Sequence, residues 1–471
     1  MVQEHLDLVH STTESARRMG ASFADLRLIR SSSTSLLVQD GRADRLRVSE
    51  GLGVGVRVLV EGCWGFAASA RTDRRGLLAA AEEAVAAARA SVRHASERGV
   101  VASVEPVQAH EDVPCHEDPR RVPIAEKVRT CMTLERCARD KFGSLLANTI
   151  VAYGDLVADE LVANSLGACI RRHVVRTTLN THITAVSDGQ RQRGAETRAA
   201  LAGYELVREL EPEEFTLRAA QRAVDLLSAR PAPAGVFPVV FHPSIAGLLT
   251  HEALGHNAEA DGVWAGESIL AGRLGEEIAP PAVTIVDDPT LPGSYGSYRY
   301  DDEGTPAERT VIIDRGRLVN YLHSRQSAAR LEHPCNGHAR ADGFSFPPIV
   351  RMSNTFLAPG ENTFEELLQG IDRGIYLAQG HWGYVFVEKG QFTCHASVSR
   401  MIENGRLGEL LRDVSVSGLT LEVLRDIDAV GSDFEMLMPG TCGKSGQGAP
   451  INAGGPHVRV RGLVVGGQRT G

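Results

Sequence analysis

Two polar segments that contain proline divide the chain into three parts. The first covers residues 100–123, and the second, ARPAPAG, covers residues 229–235. Proline fixes its own backbone angle and lacks an amide hydrogen, so such segments interrupt helices and sheets. A chain of 471 residues is also too long for one ordinary hydrophobic core. We therefore predict three domains, at residues 1–100, 101–232 and 233–471.

The first two parts alternate between helical and strand-like patterns. Residues 3–19 are amphipathic, ADLRLIR and GVGVRVLVEGCWGFAAS alternate like strands, and GLLAAAEEAVAAARAS is rich in helix-forming residues. The second part has the same order, with IAEKVRTCMTLERCARD and EEFTLRAAQRAVDLLSAR on either side of strand-like segments. This order suggests a diverged repeat, although no residue-level match is visible. We expect an α+β fold, with antiparallel sheets and helices in this half.

The third part contains many short apolar runs separated by glycine, proline and aspartate. Examples are PAVTIVDD, RTVIIDRGRLVNYLHS and GPHVRVRGLVVGG. Short apolar runs between turn-forming residues are typical of strands. We predict a β-rich C-terminal domain with a few helices, of which TFEELLQGID is one.

The motif HEALGH, residues 251–256, lies where a strand is predicted to run into a helix, with Pro243 suited to the first helical turn. A metal-dependent hydrolase needs neutral imidazole ligands and a carboxylate beside the reacting water. The common spacing is HExxH, whereas this HExxxH motif sets its histidines roughly 140° apart on an ideal helix. A π-type bulge would bring the two rings together, and Gly255 could permit one. The motif alone therefore suits a metal site and a helix with two incidental histidines equally well.

A third metal ligand is needed, and the best candidate is Cys442 in MPGTCGKSGQGAP. A catalytic zinc site usually has three protein ligands and one open position, and one thiolate with two imidazoles is a known set. The glycines around Cys442 let the backbone approach a metal closely. Two alternatives stay open at this point, a buried free thiol and a Cys/His nucleophile pair. The glutamate beside His251 favours metal-dependent hydrolysis over the nucleophile pair.

Two further groups of polar residues could contribute to a site. A carboxylate cluster that could hold a second metal or bind a substrate amine consists of Asp301, Asp302 and Glu303. The more frequent role of such a cluster is a polar turn before a strand. Three histidines fall in what reads as an irregular loop, namely His323, His333 and His338. One of them could lie near the site, but single loop histidines are more often solvated.

Charge and composition exclude some functional classes. The net charge is −9 and the basic residues are scattered, so no nucleic-acid partner is expected. The N-terminus has no apolar core of a signal peptide, and no run approaches the roughly 18 apolar residues that span a bilayer. The eight cysteines form no CxxC pair, which indicates reduced thiols. We expect a cytoplasmic protein with no membrane partner.

Several segments together resemble the TldD/PmbA (TldD/TldE) family of zinc metallopeptidases, and most closely its metal-bearing TldD-type branch. They occur in the family's order and cover most of residues 236–460. They are THEALGHNAEAD (250–261), VTIVDDPTLPGSYGSYRYDDEGTPAERTVIIDRGRL (283–318), YLHSRQSAARL (321–331), PPIVRMSNTFLAPGENTFEELLQGIDRGIY (347–376), LRDVSVSGLTLEVLRDIDAVGSDFE (411–435) and PGTCGKSGQGAP (439–450). The N-terminal half fits this family only in outline.

The resemblance implies roles for the matched residues. His251, His256 and Cys442 would be zinc ligands, and Glu252 would be the general base that takes a proton from the reacting water. The metal site would lie in the β-rich C-terminal domain. The resemblance also implies a dimer that encloses the site in a chamber, either a homodimer or a heterodimer with a TldE-like homologue. Its substrates would be short or unfolded peptides, because a folded protein could not enter.

Two segments depart from the family's pattern. They are GHWGYVFVEKGQFTCHAS at residues 380–397 and HPCNGHARADGF at residues 333–344. We expect both to be loops that could shape the substrate cleft. The departures leave the metal chemistry intact but make a specialised substrate plausible, such as a peptide-like conjugate or biosynthetic precursor.

Three functional hypotheses follow. The first is a zinc-dependent peptidase that acts on unstructured peptides. The second is an amidase or peptidase dedicated to a peptide-like conjugate in one biosynthetic pathway. The third is a non-catalytic partner subunit, which predicts erosion of the metal set, whereas His251, Glu252, His256 and Cys442 are all present.

Overall fold

The computed structural model describes residues 2–466, apart from the side chains at positions 2–4, 213, 381 and 382. The helices in this part of the chain are α1 (Val2–Arg18), α2 (Arg74–Ser91), α3 (Ile124–Phe142), α4 (Glu205–Arg208), α5 (Thr216–Asp225), α6 (Pro243–Leu249), α7 (Ala260–Ala265), α8 (Arg325–Arg330), α9 (Phe364–Leu368) and α10 (Thr420–Arg425). Within residues 2–466, no helix is both long enough and apolar enough to cross a membrane.

The strands of the N-terminal half are β1 (Phe23–Gln39), β2 (Arg42–Val60), β3 (Cys63–Ser69), β4 (Gln108–Asp112), β5 (Leu146–Asn164), β6 (Cys169–Ser187) and β7 (Gln190–Ala200). Those of the C-terminal half are β8 (Arg230–Pro231), β9 (Gly235–Phe241), β10 (Ile285–Asp287), β11 (Thr310–Asp314), β12 (Arg317–Leu318), β13 (Ala339–Arg340), β14 (Ile349–Val350), β15 (Asn354–Leu357), β16 (Arg373–Phe386), β17 (Gln391–Glu403), β18 (Arg406–Arg412), β19 (Val414–Leu419), β20 (Ile427–Val430), β21 (Glu435–Met436), β22 (Gly440–Lys444), β23 (Gln447–Gly455) and β24 (Val458–Gly466). The predicted α+β class is confirmed, with long antiparallel strands and helices first and a strand-rich C-terminal half after them.

The N-terminal half is built on one seven-stranded sheet with the order β3-β2-β1-β5-β6-β4, in which β7 also pairs with β6. Both predicted N-terminal units contribute to it, because β1 and β5 pair antiparallel from Asp25 opposite Asn164 to Gln39 opposite Ile150. Each unit contains a helix, three antiparallel strands and a further helix in this order, but the second unit also has β4, which pairs parallel with β6. The diverged repeat stays a prediction. The limits of the three domains stay a prediction, since the first two units share a sheet.

The two faces of β1 have different partners. Side chains alternate across a strand, so even-numbered and odd-numbered residues lie on opposite faces. Leu26 and Leu36, on one face, belong to apolar clusters that include residues of the helices α2 and α3. Arg27, on the other face, donates a hydrogen bond to the carbonyl of Gly343 at 2.9 Å. The helices and the C-terminal half therefore cover opposite faces of this strand.

The C-terminal half contains two larger sheets. In one of them, β16, β9, β24, β19 and β17 pair in sequence, and β17 pairs again with β16, so the sheet closes on itself. The other has the order β12-β11-β10-β15-β23-β21, and β22 also pairs with β23. Helix α6 packs between β16 of the closed sheet and β23 of the second sheet. The end of α6 therefore lies where the two sheets meet.

Candidate metal centre

The segment that holds the HEALGH motif runs from β9 into α6 and then changes its helical form. Pro243 occupies the first helical turn, as predicted, and the His242 side chain caps the helix by accepting a hydrogen bond from the Ser244 amide. Helix α6 ends at Leu249, and a π-helical turn follows at Thr250–Gly255. The local widening expected from the five-residue spacing is thus confirmed.

The π-helical turn brings the two histidines of the motif together. A π-helix bonds residue i to residue i+5, so residues five apart lie on one side of it. The rings of His251 and His256 meet edge to face, with their centroids 5.1 Å apart and their planes at 78°. On an undistorted α-helix the two rings would diverge.

Gly255 has a different role from the one expected. Its backbone angles, φ −55° and ψ −48°, are ordinary helical values that any residue adopts, so the π-turn does not need glycine for its conformation. A β-carbon at Gly255 would instead overlap the sulfur of Met352. Any side chain at position 255 would force the buried Met352 side chain to move, because the turn packs directly against it.

Cys442 lies beside the two histidines and belongs to a hairpin formed by β22 and β23. It lies opposite Ala449, and the hairpin turns through Ser445 and Gly446, which both have positive φ angles. The guanidinium of Arg351 donates to the carbonyl of Cys442 at 2.6 Å and fixes that strand. The Cys442 Sγ atom lies 3.4 Å from His256 Nε2.

A close contact between α6 and β23 sets the distance between helix and hairpin. A β-carbon at Gly247 would lie only 2.5 Å from the amide nitrogen of Gly454, so the helix and the strand meet with no side chain between them. Glycine allows such an approach of two backbones. Any larger residue at position 247 would push the histidines away from Cys442.

The three predicted donors form a cluster of the size a metal ion requires. One donor atom from each of His251, His256 and Cys442 lies within 4.8 Å of the other two. Zinc binds nitrogen at about 2.0–2.1 Å and sulfur at about 2.3 Å, so donors of one tetrahedral ion lie roughly 3.5 Å apart. His251 Nδ1 is a buried atom without a hydrogen-bond partner among the described residues. The donor chemistry and the spacing both fit a bound metal.

Glu252 lies beside the donors and borders the same cavity. Its neighbour from the facing strand is Gly383, where an added β-carbon would lie 3.2 Å from Glu252 Cγ. Burial raises the pKa of Glu252, and the nearby His251 and His256 counteract that effect in part. A carboxyl group with a raised pKa can accept and return a proton near neutral pH.

Glu259 orients His256 from the side away from Cys442, and sequence reasoning gave it no role. Its Oε2 lies 3.2 Å from His256 Nδ1 and 3.1 Å from Lys444 Nζ. Burial would raise the pKa of Glu259, but the charges of Lys444 and His256 outweigh it and lower the pKa to about 2. Metal-binding histidines commonly donate their second N–H to a carboxylate. Glu259 lies three residues after the second histidine, a spacing too common by itself to have revealed this role.

The charges of the cluster favour a thiolate at Cys442. Burial raises the pKa of this thiol, but the hydrogen bonds and charges of His251 and His256 outweigh it and lower the pKa to about 5. Burial lowers the pKa of His256, whereas Glu259 and Cys442 raise it to about 10. Both shifts favour a thiolate beside an imidazolium, and a cation that binds to His256 must displace a proton from that ring. Cys442, His256 and Glu259 also have the linear order of a cysteine-hydrolase triad.

A cavity of about 720 Å³ opens directly onto the donors. His251, Glu252, His256 and Cys442 all contribute to its wall. The remaining wall comes mainly from residues 383–389, at the end of β16 and in the turn after it, and from residues 438–444. A peptide segment could therefore reach Glu252 and the metal donors at the same time.

The carboxylate cluster at residues 301–303 lies elsewhere. Asp301 accepts hydrogen bonds from backbone amides, among them that of Thr305 at 2.8 Å, whereas Asp302 and Glu303 have arginine partners. Arg57 bonds to Asp25 and, at 2.7 Å, to Glu303. Arg172 bonds to Asp302 and, at 2.6 Å, to Glu160. We call these residues the interdomain ion cluster: Asp25, Arg57, Glu160, Arg172, Asp302 and Glu303. This cluster joins the N-terminal sheet to the C-terminal half. It is not a candidate metal site, because within residues 2–466 the one group of three or more donors close enough for a metal is His251, His256 and Cys442.

His323, His333 and His338, which were predicted to lie in a loop, do not border the cavity of the metal centre. His338 Nε2 lies 3.1 Å from Asp287, and His323 stacks on His333 with ring centroids 5.2 Å apart. The prediction of an irregular loop was partly wrong, because α8 occupies Arg325–Arg330. The helix begins there because the Ser324 and Ser327 side chains form a capping box.

The two segments that depart from the family pattern have different positions. Residues 380–397 were expected to be a loop, but they form a hairpin of β16 and β17, in which Tyr384 pairs with Thr393. Burial alternates along the second strand of the hairpin, where Phe392, Cys394 and Ala396 are buried, and this period of two explains the strand. Residues 333–344 do not border the cavity, and Phe344 instead contacts the N-terminal sheet near Gly53. Only the first segment can shape the cavity wall.

Comparison with known proteins identifies the class, which is that of metallopeptidases. Sequence models of PmbA/TldA metallopeptidases match in three parts: domain 1 at residues 24–88, the central domain at residues 117–227 and the C-terminal domain at residues 234–467. The chain belongs to the PmbA/TldD metallopeptidase family.

Individual relatives match this chain in sequence or in fold along most of its length. A protein of Methanothermobacter thermautotrophicus named metalloprotease is 39% identical over 446 residues, which cover 94% of this chain and 95% of that protein. A zinc metalloprotease TldD homolog of Saccharolobus solfataricus is 26% identical over 96% of this chain and 98% of its own length. The crystal structure of TldE from Thermococcus kodakarensis has the same fold, with a TM-score of 0.80 and 19% identity over 97% of this chain and 99% of that one.

Proposed function

We propose that this protein is a zinc-dependent peptidase that hydrolyses amide bonds of short or unfolded peptides. The observation that carries the proposal is the convergence of His251, His256 and Cys442, with Glu252 beside them, on one cavity. The name of the Saccharolobus solfataricus relative supports zinc as the metal. The thiolate and two imidazoles are also a donor set that zinc prefers.

Each residue of the site has a chemical task in this proposal. Bound zinc supplies Lewis acidity, which polarises a peptide carbonyl and makes water a better nucleophile. Glu252 accepts the proton of the attacking water and returns it to the leaving amine, a task for which its raised pKa suits it. His251, His256 and Cys442 hold the metal, and Glu259 keeps the His256 ring in place through Nδ1.

A thiol-dependent hydrolase is the second candidate. The 3.4 Å contact between Cys442 Sγ and His256 Nε2, with Glu259 behind His256, favours it. That mechanism gives no task to His251 or Glu252, which the zinc mechanism uses. We therefore rank it second.

Chelation separates these two candidates. We expect the purified protein to cut an unstructured peptide, to lose that activity on removal of metal and to regain it with zinc. Glu252→Gln should lower kcat by roughly a hundredfold to ten-thousandfold, the usual contribution of a general base, while metal content stays unchanged. Full activity in the presence of a strong chelator would refute the zinc mechanism and favour the thiol. Full activity of Glu252→Gln would remove Glu252 from its role.

The substrate could also be one peptide-like conjugate in place of general peptides. The hairpin at residues 380–397 supports this alternative, because a segment that departs from the family pattern supplies residues 383–389 of the cavity wall. Cleavage rates of unstructured peptides and small amide conjugates would decide between them. Equal rates on both would count against a dedicated amidase.

We also propose that the active unit is a dimer, either of two copies or with a TldE-like homologue. The fold shared with TldE along almost the whole chain supports this. Light scattering of the protein alone and after co-expression with such a homologue tests it. A fully active monomer would contradict it.

A further inference from the structure

Lys444 belongs to the hairpin that carries Cys442, and its side chain crosses to the segment that carries His256. Lys444 pairs with Gln447 and directly precedes the turn of the hairpin. Side chains two residues apart on a strand lie on the same face, so Lys444 and Cys442 share one face of β22. Both residues border the cavity of the metal centre. A group that holds Lys444 in place therefore also holds the strand of Cys442.

The ammonium group of Lys444 contacts three acceptor groups. Its Nζ atom lies 2.7 and 2.8 Å from the two carboxylate oxygens of Asp261, 3.1 Å from Glu259 Oε2 and 3.2 Å from the carbonyl oxygen of Val350. A lysine ammonium has three N–H groups and accepts no hydrogen bond, so three acceptors match its donors. The side chain of Lys444 is only 22% exposed and is held by these contacts.

Glu259 connects this ammonium group to a predicted metal ligand. The same carboxylate oxygen, Oε2, lies 3.2 Å from His256 Nδ1 and 3.1 Å from Lys444 Nζ. Glu259 stands between the turn that begins at His256 and helix α7, whose first turn contains Asp261. The side chain of Glu259 is 2% exposed, so water competes little for its oxygens. Lys444 therefore helps to fix the oxygen that faces the imidazole of His256.

Arg351 also lies between the hairpin and Glu259, but its contacts are different. Its guanidinium donates to the carbonyls of Cys442 and Gln447 at 2.6 and 3.0 Å, which supports the backbone of the hairpin. Its Nε atom is 3.8 Å from Glu259 Oε1, which is too far for a hydrogen bond. Arg351 therefore supports the hairpin itself, whereas Lys444 joins the hairpin to the carboxylate that faces His256.

We propose that Lys444 is a positioning residue of the metal centre, which sets His256 and Cys442 relative to each other through Glu259. This inference rests on the proposed function, because it concerns the zinc site of the proposed peptidase. One ammonium group acts on two ligands, since it holds the carboxylate that orients His256 and ties down the strand that presents Cys442. Donors that are held at the spacing of a metal site lose less entropy when a metal binds, so Lys444 raises metal affinity without contacting the metal.

Metal affinity measures this role independently of peptide cleavage. Lys444→Met keeps an unbranched side chain of similar length but removes the charge and the N–H groups. Lys389→Met is the matched control, because Lys389 also borders the cavity but lies in the turn after β16. Zinc affinity is measured by competition with a chromophoric chelator. The electronic spectrum of the cobalt(II)-loaded protein reports the geometry of the ligands, and circular dichroism checks that each variant is folded.

We expect Lys444→Met to weaken zinc affinity about 10–100-fold, the usual loss when a group that supports a metal ligand is removed. The cobalt spectrum should change as well, because His256 and Cys442 are no longer held at one spacing. Lys389→Met should leave both measurements unchanged. Lys444→Gln replaces Lys444→Met if the latter does not fold, since its amide still donates hydrogen bonds but carries no charge, and it should weaken zinc affinity in the same way.

A double-mutant cycle tests whether Lys444 acts through Glu259. Residues of one network have effects that do not add, whereas independent residues have effects that do. In protein that already carries Glu259→Gln, Lys444→Met should therefore weaken zinc affinity by less than about a further threefold.

Three results would overturn the role of Lys444. They are equal zinc affinity of folded Lys444→Met and the unsubstituted protein, an unchanged cobalt spectrum of that variant, and a loss of affinity that adds in full to that of Glu259→Gln. If zinc affinity depends on Lys444 as expected but no peptide is cut, the role of Lys444 stands and the proposed peptidase function fails. If peptides are cut with zinc but its affinity does not depend on Lys444, the function stands and this inference fails.

Discussion

The metal centre and the interdomain ion cluster both bury ionisable groups, but the two regions satisfy them differently. In the ion cluster, the guanidinium of Arg57 lies between Asp25 and Glu303, and that of Arg172 lies between Glu160 and Asp302. In the metal centre, two imidazoles and a thiolate converge beside a cavity of about 720 Å³. The first arrangement pairs each guanidinium with carboxylates of the protein, and the second leaves its donors able to share an added cation.

Two histidines, His323 near the ion cluster and His256 in the metal centre, have pKa values that are shifted in opposite directions. Burial, and then the charges of His333 and His338, lower the pKa of His323 to about 3. His256 is also largely enclosed, with 14% of its side chain exposed, but Glu259 and Cys442 raise its pKa to about 10. Burial alone therefore does not mark a functional histidine. The charges that face the ring decide its protonation.

Removing one charge from the ion cluster should cause a large loss of stability and no loss of metal. Glu303→Gln leaves Asp25 as the remaining carboxylate partner of the buried Arg57 guanidinium, and loss of a hydrogen bond between charged groups typically costs about 1.5–3 kcal/mol. Chemical denaturation measures the free energy of unfolding. Glu14→Gln is the matched control, because its partner Arg18 and Glu14 itself are largely exposed, and it should have no measurable effect. Loss of bound metal from folded Glu303→Gln protein would break the distinction between the two regions.

Removing the support of a metal ligand should have the next largest effect. Glu259→Gln takes the charge from the group that holds His256 Nδ1, and loss of such a partner usually weakens metal affinity about 10–100-fold. Competition with a chromophoric chelator measures that affinity. Asp261→Asn serves as the control, since Asp261 bonds to Lys444 and not to His256, and should have a smaller effect. Equal affinities of Glu259→Gln and the unsubstituted protein would contradict the role of Glu259.

The effect that is smallest near neutral pH, and that grows only as pH falls, is a pH dependence of stability from His323. Its folded pKa of about 3 lies below the ordinary 6.5, so the unfolded chain takes up a proton first as pH falls. The contribution is fully present above pH 6.5 and is lost as pH falls from 6.5 towards 3, by at most about 1.4 kcal/mol per pH unit. His323→Gln should make the stability curve flatter across this window. An unchanged slope would show that His323 is not held neutral.

Sequence reasoning found the metal donors because each lies in a short local pattern. HEALGH implied a π-turn, which occurs at Thr250–Gly255, and Cys442 lies among glycines in the hairpin of β22 and β23. The reason for Gly255 was missed, because its contact, Met352, is remote in sequence. Glu259 was missed although it is near in sequence, because a carboxylate after a histidine has no distinctive spacing by itself.

The ion cluster could not be predicted for a similar reason. Asp301, Asp302 and Glu303 form an evident acidic group, but Arg172 lies 130 residues from Asp302 and Arg57 lies 246 residues from Glu303. No local pattern pairs residues over such distances. The α+β class and the strand-rich C-terminal half were predictable, whereas the single sheet shared by the first two units was not, since it depends on the pairing of β1 with β5.

Metal content tests the central claim most directly. Elemental analysis of the purified protein should give one zinc ion per chain, and Cys442→Ser should lower that value sharply while Glu303→Gln leaves it unchanged. Absence of stoichiometric zinc from the protein as purified and after incubation with zinc would contradict the metal centre. Cys442→Ser protein that holds as much zinc as the unsubstituted protein would remove Cys442 from the ligand set.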